Sequence, residues 1–563
     1  MTIINGNAST RPQPGWLYQY GVALALYMLA TLFTDAHYMG DTVHYTADIL
    51  HGPLHREFWD FGHVLWRPTG WLLSNLLSPL THIAGATDAR TNIVYTLMTL
   101  SWLAGLTCVI LLCEVLHRLC AQALTVNAAI AGFILSNGFL NYAQTGSSYV
   151  PGLALLLLGL YILLRDGDRQ HSWRTAAFAG SAFAGAICLW FLYILAIPAA
   201  LAAPLFLFGA VRHRQRLLVQ TAIAFTVITG LAYVAVLRGL GMDSVTAVTA
   251  WAFSASHGIV SGGFSRCVFT FSQSLIDMGN DGHLFKRYLI GDPFNPVFLT
   301  DLLWLSLWKV VLFYLLLTSI AVNLLRSRMG RRIIGLLILN AIPVIGFAIY
   351  WSQGRNFERF FPLYPLLFLS LSCSLCGRRT LSTHKILVPL FVVAAAITNV
   401  SVMAKPVLSH HEDAVAVRVS ELQQAQRAKG PSAPRAMVIV AGDDELVGFG
   451  PLFLLNPINR DLEFVPAITL GHTRTPLWRK DLSEEILAKW RDGGNVWVTR
   501  RVLALRPRSE WSWTEGEDPR VSWTDINGFF AELDMGQAVG GEDGFMLLRP
   551  TGKNEHDLQV RDR

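Results

Sequence analysis

The chain has 563 residues, of which 52% are hydrophobic and only 15% carry a charged side chain. This balance excludes an ordinary soluble protein and predicts a polytopic membrane protein. The net charge of +6 does not indicate a nucleic-acid partner, because many of the arginines lie in short loops between apolar runs, where they report orientation.

Apolar runs long enough to span a bilayer recur along the first 403 residues. We predict crossings at 16–34, 92–117, 121–138, 149–164, 175–190, 192–210, 217–237, 303–324, 333–351, 360–377 and 386–403. The stretch 175–211 has no charged residue and is too long for one crossing, so we expect a tight turn between Trp190 and Pro198.

The segment 67–85 is also apolar, and the distribution of basic residues decides whether it crosses. If it does not cross, all the basic clusters between the later runs face the cytoplasm; they comprise Arg118, Arg165, Arg169, Arg174, Arg212, Arg214, Arg216, Arg326, Arg328, Arg331, Arg332, Arg378, Arg379 and Lys385. We therefore predict that 67–85 is an interfacial helix. This gives about 11 transmembrane helices, a cytoplasmic N-terminus and an external C-terminus.

Two domains follow from this topology. Residues 1–405 form the transmembrane domain, with a first external loop at 35–91 and a long one at 239–302. Within the long loop, the glycines of 257–265 are typical of a lid and equally of a slack connection. Residues 410–563 form a small soluble α/β domain; we predict strands at 436–445, 495–502 and 545–550 and a helix at 482–494.

Polar chemistry concentrates directly after the first apolar run, in the stretch from Asp35 to Arg67. Asp41, Tyr45 and Asp48 have the spacing i, i+4 and i+7, which places them on one face of a helix that begins near Asp41. A carboxylate at that position is a natural N-cap with no catalytic role, which is the simpler interpretation from residue type alone, and it also suits a catalytic base. Asp35 is the alternative base.

Four segments carry a resemblance to a known class: GDTVHYTADILHG (40–52), WRPTGWLLSNLLSPLTHIAGATDARTN (66–92), YAQTGSSYVPGLALLLLGLYILL (142–164) and RNFERFFPLYPLLFLSL (355–371). Their order and topology resemble the GT-C superfamily of integral membrane glycosyltransferases. Within it the chain is similar to the family 39 type, which includes protein O-mannosyltransferases and bacterial aminoarabinose transferases. The resemblance implies a GT-C fold and a polyprenyl-phosphate donor.

The resemblance also assigns residues. It implies that Asp41 is the acidic residue of the first external loop and that Arg67, which precedes a proline, contacts the lipid phosphate. Arg359 matches the arginine at the start of a late helix. The second acidic residue of the class is expected near 145–149, where this chain has TGSSY, so we predict an enzyme without a metal or other cofactor.

Other polar residues near these positions are predicted substrate contacts: His44, Tyr45, His63, Arg355 and Glu358. The group around Arg359 is also explained by an interfacial salt-bridge cluster. The histidines of the first loop suggest zinc only through the pair His51 and His55, so surface histidines are the simpler interpretation.

We expect a glycosyltransferase that moves a hexose or modified pentose from a polyprenyl-phosphate donor to a lipid, glycan or protein acceptor. The expected location is the bacterial inner membrane, with the site and the C-terminal domain on the outer face. A lipid or polysaccharide transporter is the alternative from another class, although such proteins carry polar residues through their spans and these runs have almost none. An O-antigen polymerase or ligase would differ in its donor.

Overall fold

The structure is a computed structural model. It describes residues 14–36, 41–54, 56–83, 89–120, 122–166, 173–209, 211–254, 263–278, 288, 298–350, 357–376, 380–404, 414–428, 434–440, 462–466, 478–503, 528–531, 533–540 and 544–560. The chain divides into two compact units, the first formed by 1–282 with 304–404 and the second by 283–303 with 405–563.

The first unit is built from helices. They are α1 (Pro14–Phe33), α2 (Thr42–His51), α3 (Trp66–Ile83), α4 (Ala89–Leu119), α5 (Ala123–Ile134), α6 (Asn137–Tyr142), α7 (Tyr149–Asp166), α8 (Trp173–Leu189), α9 (Ile197–Phe208), α10 (Arg212–Gly239), α11 (Val245–Ser254) and α12 (Gly263–Leu275). The short α13 (Leu299–Leu302) belongs to the second unit. After a π-helical turn (Leu303–Leu307), the first unit continues with α14 (Trp308–Leu325), α15 (Arg328–Tyr350), α16 (Tyr364–Leu375) and α17 (Ser382–Met403).

Each predicted crossing overlaps helix in the structure, but the crossing predicted at 121–138 is interrupted between α5 and α6. Among the described residues, six helical segments are long and apolar enough to cross a membrane: Thr91–Leu119, Phe191–Phe208, Arg212–Gly239, Leu303–Leu325, Arg328–Tyr350 and Ser382–Met403. The protein is therefore an integral membrane protein. The larger count of about 11 crossings stays a prediction.

Short 3-10 helices connect several of these segments. The expected turn between α8 and α9 is the 3-10 helix Phe191–Leu195, and another, Phe357–Leu363, leads into α16. Two more, Arg56–Trp59 and Phe61–His63, lie between α2 and α3. The turns Arg56–Trp59, Phe61–His63 and Phe357–Leu363 belong to the segments that carry the polar residues singled out above.

The segment predicted to lie along the interface forms the helix α3 and packs against α4. Its two faces differ in burial. Trp66, Arg67, Gly70 and Ser74 are buried, whereas the side chains on the other face are exposed; these are Leu72, Leu76, Leu80 and Ile83. An exposed stripe of large apolar side chains suits contact with lipid, in agreement with the amphipathic character expected for this helix.

The second unit contains a five-stranded sheet of order β2-β1-β3-β5-β4. Its strands are β1 (Ala436–Val440), β2 (Leu462–Pro466), β3 (Val496–Thr499), β4 (Met535–Val539) and β5 (Phe545–Leu548). β1 pairs in parallel with β2 and β3, while β5 pairs antiparallel with β3 and β4. The helices of this unit are α18 (Ala414–Arg427), α19 (Trp478–Arg491), α20 (Arg500–Leu503) and α21 (Gly552–Val560).

β1, β3 and β5 lie within the predicted strands, and α19 overlaps the helix predicted at 482–494. The strand prediction is wrong for 500–502, which belong to α20, and 441–445 lie outside the described residues. Side chains of β1 alternate between two apolar clusters, with Met437 and Ile439 in one and Val438 and Val440 in the other. Both faces of β1 are therefore covered, as its unbroken apolar sequence indicates. β2 and β4 are missing from the prediction, since they include polar or small residues such as Glu463 and Gly536.

Candidate active site

Asp41 is the residue before α2, yet its side chain does not cap the helix. Among the described residues no side-chain capping hydrogen bond is formed there. Its Oδ2 instead accepts hydrogen bonds from the hydroxyls of Tyr45, at 3.2 Å, and Tyr149, at 2.5 Å. The carboxylate therefore faces a group of tyrosines, and the simple N-cap explanation for Asp41 does not describe this structure.

A tight contact places α2 against the loop that follows α6. The amide of Gly146 donates to Thr42 Oγ1 at 3.0 Å, and the indole of Trp66 donates to the Gly146 carbonyl at 2.9 Å. A Cβ atom at Gly146 would lie 2.6 Å from Thr42 Cγ2 and 2.9 Å from Leu97 Cβ. Only a glycine allows this approach, which brings Tyr149 to Asp41.

His63 lies on the other side of Tyr45 and is surrounded by hydrogen-bonding groups. Its Nε2 is 3.1 Å from the Tyr45 hydroxyl, and its Nδ1 is 2.8 Å from Ser148 Oγ and 3.0 Å from the Leu189 carbonyl oxygen. Burial lowers the pKa of His63, despite the opposing effect of the nearby Asp60 carboxylate. The imidazole is consequently neutral at physiological pH.

Arg67 lies on the buried face of α3 and is held there by two carboxylates from outside this helix. Its Nε donates to Asp48 Oδ2 at 2.6 Å, and its Nη1 lies 3.3 Å from Asp60 Oδ2. The guanidinium also stacks 4.8 Å from the centre of the Tyr45 ring. The helical spacing that puts Asp41, Tyr45 and Asp48 on one face of α2 thus joins this face to Arg67.

A second acidic side chain approaches Asp41 from a distant part of the chain. Glu358, in the 3-10 helix Phe357–Leu363, is only 5% exposed and accepts a hydrogen bond of 2.9 Å from the Tyr142 hydroxyl. Tyr142 packs edge-on against Tyr149, with ring centres 4.9 Å apart. Burial raises the pKa of Glu358 to about 7, the Asp41 carboxylate adds to this, and Arg359 opposes it.

The other predicted site residues lie as follows. Arg359 is buried, and its guanidinium lies 5.9 Å from the centre of the Phe347 ring. The Asp35 amide donates to the Met403 carbonyl at 2.8 Å, where the chain leaves α1. His44 belongs to α2, but its side chain is outside the described part of the structure. Arg355 and His55 lie outside the described residues altogether.

No group of three or more His, Cys, Asp or Glu side chains suited to a metal ion occurs within the described residues. The expectation of a metal-independent enzyme stays a prediction.

Sequence reasoning missed the contribution of the segment 142–149. A second acid was expected there, and the sequence has TGSSY instead. In the structure the Ser148 hydroxyl contacts His63, and the Tyr149 hydroxyl donates to Asp41. The second acid near Asp41 is Glu358, which was predicted only as a substrate contact. The polar character of TGSSY between apolar helices was the one available signal.

Comparison with known proteins identifies the fold. No family model and no curated protein matches the chain. Among solved structures, ArnT from Cupriavidus metallidurans bound to undecaprenyl phosphate is similar, with 12% identity, a TM-score of 0.52, and coverage of 96% of this chain and 99% of that chain. An oligosaccharyltransferase from Archaeoglobus fulgidus in the apo form has 12% identity and a TM-score of 0.47, over 92% of this chain and 73% of that one. The chain therefore has the GT-C fold of membrane glycosyltransferases.

Proposed function

We propose that this protein is a glycosyltransferase that moves a sugar from a polyprenyl-phosphate donor to an acceptor on the outer face of the membrane. The observation that carries the proposal is the Asp41 carboxylate, which accepts two tyrosine hydrogen bonds instead of capping α2. The likeness in fold to ArnT, whose structure contains undecaprenyl phosphate, supports the donor class.

In the proposed reaction the acceptor oxygen attacks the anomeric carbon of the donor sugar. The bond between that carbon and the phosphate oxygen breaks, and the polyprenyl phosphate leaves as an anion. Asp41 takes the proton if the acceptor is a hydroxyl group, and it orients the acceptor if that is already an anion. Direct attack inverts the configuration at the anomeric carbon.

The two arginines have different parts in this proposal. Arg67 already forms ion pairs with Asp48 and Asp60, so we assign it first to fixing the position of α3 and only through that to the donor. Arg359, next to Glu358, is the proposed cation for the departing phosphate, because a guanidinium binds phosphate oxygens in a fixed geometry. We keep Arg355 and His44 as proposed contacts of the substrate.

The test is transfer from a radiolabelled polyprenyl-phosphate sugar in membranes that contain the full-length protein. We expect Asp41→Asn to lower the transfer rate by about 100-fold to 10,000-fold, the range for loss of a general base. Asp243→Asn, at an exposed position after α10, is the matched control and should transfer at the wild-type rate. Full activity of Asp41→Asn would remove Asp41 from the mechanism.

Two comparisons separate the alternatives. If Asp35→Asn abolishes transfer while Asp41→Asn does not, Asp35 is the base. Reconstituted protein that moves lipid across the bilayer without forming a glycosidic bond would be a transporter, and activity confined to diphosphate-linked donors would indicate a polymerase or ligase.

A further inference from the structure

We propose that Tyr45 and His63 form a relay that removes the acceptor proton from Asp41, and that the acceptor is accordingly a hydroxyl group. This inference rests on the proposed function and deepens it, because it chooses between a hydroxyl acceptor and one that is already an anion. It uses side chains that the proposed reaction otherwise leaves without a role.

The relay begins with a hydroxyl that has two acceptors for one proton. The Tyr45 oxygen lies 3.2 Å from Asp41 Oδ2 and 3.1 Å from His63 Nε2. Burial raises the pKa of Tyr45, and the Asp41 carboxylate adds to this, so the hydroxyl keeps its proton. While Asp41 is ionised, that single proton can serve only one neighbour at a time.

The protonation of His63 is set by its other nitrogen. Nδ1 is 3.0 Å from the Leu189 carbonyl oxygen, which can only accept a hydrogen bond. Nδ1 therefore carries a hydrogen, and the Ser148 oxygen at 2.8 Å accommodates it as a second acceptor. In the neutral ring this leaves Nε2 with a lone pair directed at the Tyr45 hydroxyl, so His63 is able to receive a proton there.

Each proton that the relay moves passes from one named group to the next. The acceptor hydroxyl gives its proton to Asp41 as its oxygen bonds to the anomeric carbon. Protonated Asp41 then donates to the Tyr45 oxygen, while Tyr45 donates its own proton to His63 Nε2. Asp41 returns to the carboxylate form, Tyr45 is unchanged and His63 becomes an imidazolium, which later releases the proton to solvent.

Burial lowers the pKa of His63 and Arg67 adds to this, whereas the Asp60 and Asp41 carboxylates favour an imidazolium. Asp60 Oδ2 lies 4.0 Å from Nε2, and Arg67 is paired with Asp60 and Asp48. The ring of Tyr149 lies 6.2 Å away, and the Tyr233 hydroxyl donates to the carbonyl of Phe61 in the same 3-10 turn. The arrangement thus places one carboxylate beside the end of the relay.

The relay also bears on the acceptor class. Transfer to a hydroxyl converts a phosphodiester donor into a phosphate monoester and frees one proton, provided that the pH is well above the second pKa of the monoester, which is about 6. Transfer to a phosphate monoester exchanges one dianion for another and frees none. A buried path for a proton is useful only in the first case.

The experiment combines relay variants with a count of protons. Wild type, Tyr45→Phe, His63→Gln and the double variant are assayed with the same labelled donor and with lipid extract from the native membranes as the source of acceptor. We expect each single variant to lower kcat by about 10-fold to 100-fold, as for loss of a proton-transfer group, with the donor KM within about threefold. The double variant should be no slower than the slower single variant, because both side chains act in one path.

The matched control is Tyr233→Phe, which removes a hydroxyl bonded to the backbone of the same turn but outside the relay. It should keep the wild-type kcat and pH profile. His63→Gln leaves the bond between Tyr45 and Asp41 available, so its effect separates the relay from a structural role of that bond. In weakly buffered solution at pH 8 with an indicator dye, wild type should release one proton per sugar transferred.

The outcomes are distinct. Release of no proton would overturn the hydroxyl acceptor, and an unchanged kcat in Tyr45→Phe or His63→Gln would overturn the relay while leaving the transferase intact. If the wild-type protein transfers no sugar from any polyprenyl-phosphate donor, the proposed function itself fails.

Discussion

Burial is the largest of several effects that set the charge of Glu358 in this site. Glu358 is next to Arg359 in the sequence, which suggests an ordinary ion pair. The carboxyl is only 5% exposed, and desolvation outweighs the neighbouring guanidinium, which gives a pKa of about 7 in place of 4.5. Near neutral pH Glu358 therefore carries less than one full negative charge, which suits a site for an anionic donor.

The pKa of Glu358 predicts how the stability of the protein depends on pH. Between about pH 4.5 and 7 the folded state binds a proton that the unfolded state has lost, so this carboxyl destabilises the fold progressively as the pH rises. We expect Glu358→Gln to raise Tm at pH 8, by an amount equivalent to on the order of 3 kcal/mol, and to change it little at pH 4.5.

Thermal unfolding of detergent-solubilised protein between pH 4.5 and 8 measures this difference. Glu484→Gln, on the exposed surface of α19, is the control and should follow the wild-type curve. An equal Tm difference between Glu358→Gln and wild type at both pH values would contradict the raised pKa.

At the scale of elements, the site depends on how α2 meets the loop after α6. Gly146 permits the contact, and Tyr149 at the start of α7 completes it through its bond to Asp41. A helix break separates α5 from α6, although the sequence predicts one continuous crossing at 121–138. At this break Asn399 of α17 donates to the Leu135 carbonyl at 2.6 Å, and so satisfies a group that an unbroken helix would use itself.

We predict that adding a methyl group at Gly146 lowers activity, although the substitution changes no polar group. In Gly146→Ala the new methyl group would overlap Thr42 and Leu97, so α2 or the loop must move by several tenths of an ångström. We expect kcat to fall by about 10-fold to 100-fold, because catalysis is sensitive to small displacements of the reacting groups.

The measurement is the same sugar-transfer assay. Gly230→Ala in α10, where an added Cβ meets nothing within 4 Å, is the matched substitution and should retain full activity. Wild-type kcat in Gly146→Ala would show that the close approach of the loop does not position the site.

At the scale of the whole molecule, the orientation in the membrane rests on the basic loops. The structure describes helices at all the predicted crossings, but the side of the membrane on which each loop lies is still inferred from charge. The prediction is that the loop after α10 and the C-terminus face outward, while the loop after α7 faces the cytoplasm.

Reporter fusions test this orientation in a bacterial host. Alkaline phosphatase should be active when fused after Gly241 or after Arg563, and inactive when fused after Arg169; a fluorescent protein that matures only in the cytoplasm should show the reverse. The same reporter signal after Gly241 and after Arg169 would contradict the topology, and with it the common face proposed for the site and the C-terminal unit.

Features that depend on neighbours along the chain could be predicted from local sequence. The apolar runs located the helices, because burying the backbone in lipid requires continuous helical hydrogen bonding. The spacing of Asp41, Tyr45 and Asp48 identified one face of α2, since helical periodicity is local. The class of fold was predicted from the resemblance of four segments, and of their order, to the GT-C superfamily.

The contacts between distant side chains could be seen only in the folded protein. Tyr149 reaches Asp41 across 108 positions of the chain, and Tyr142 reaches Glu358 across 216. The fold also pairs Arg67 with Asp48 and Asp60. Such contacts depend on how separate helices and loops pack, and the free energy of burial that raises the pKa of Glu358 exists only after that packing is complete.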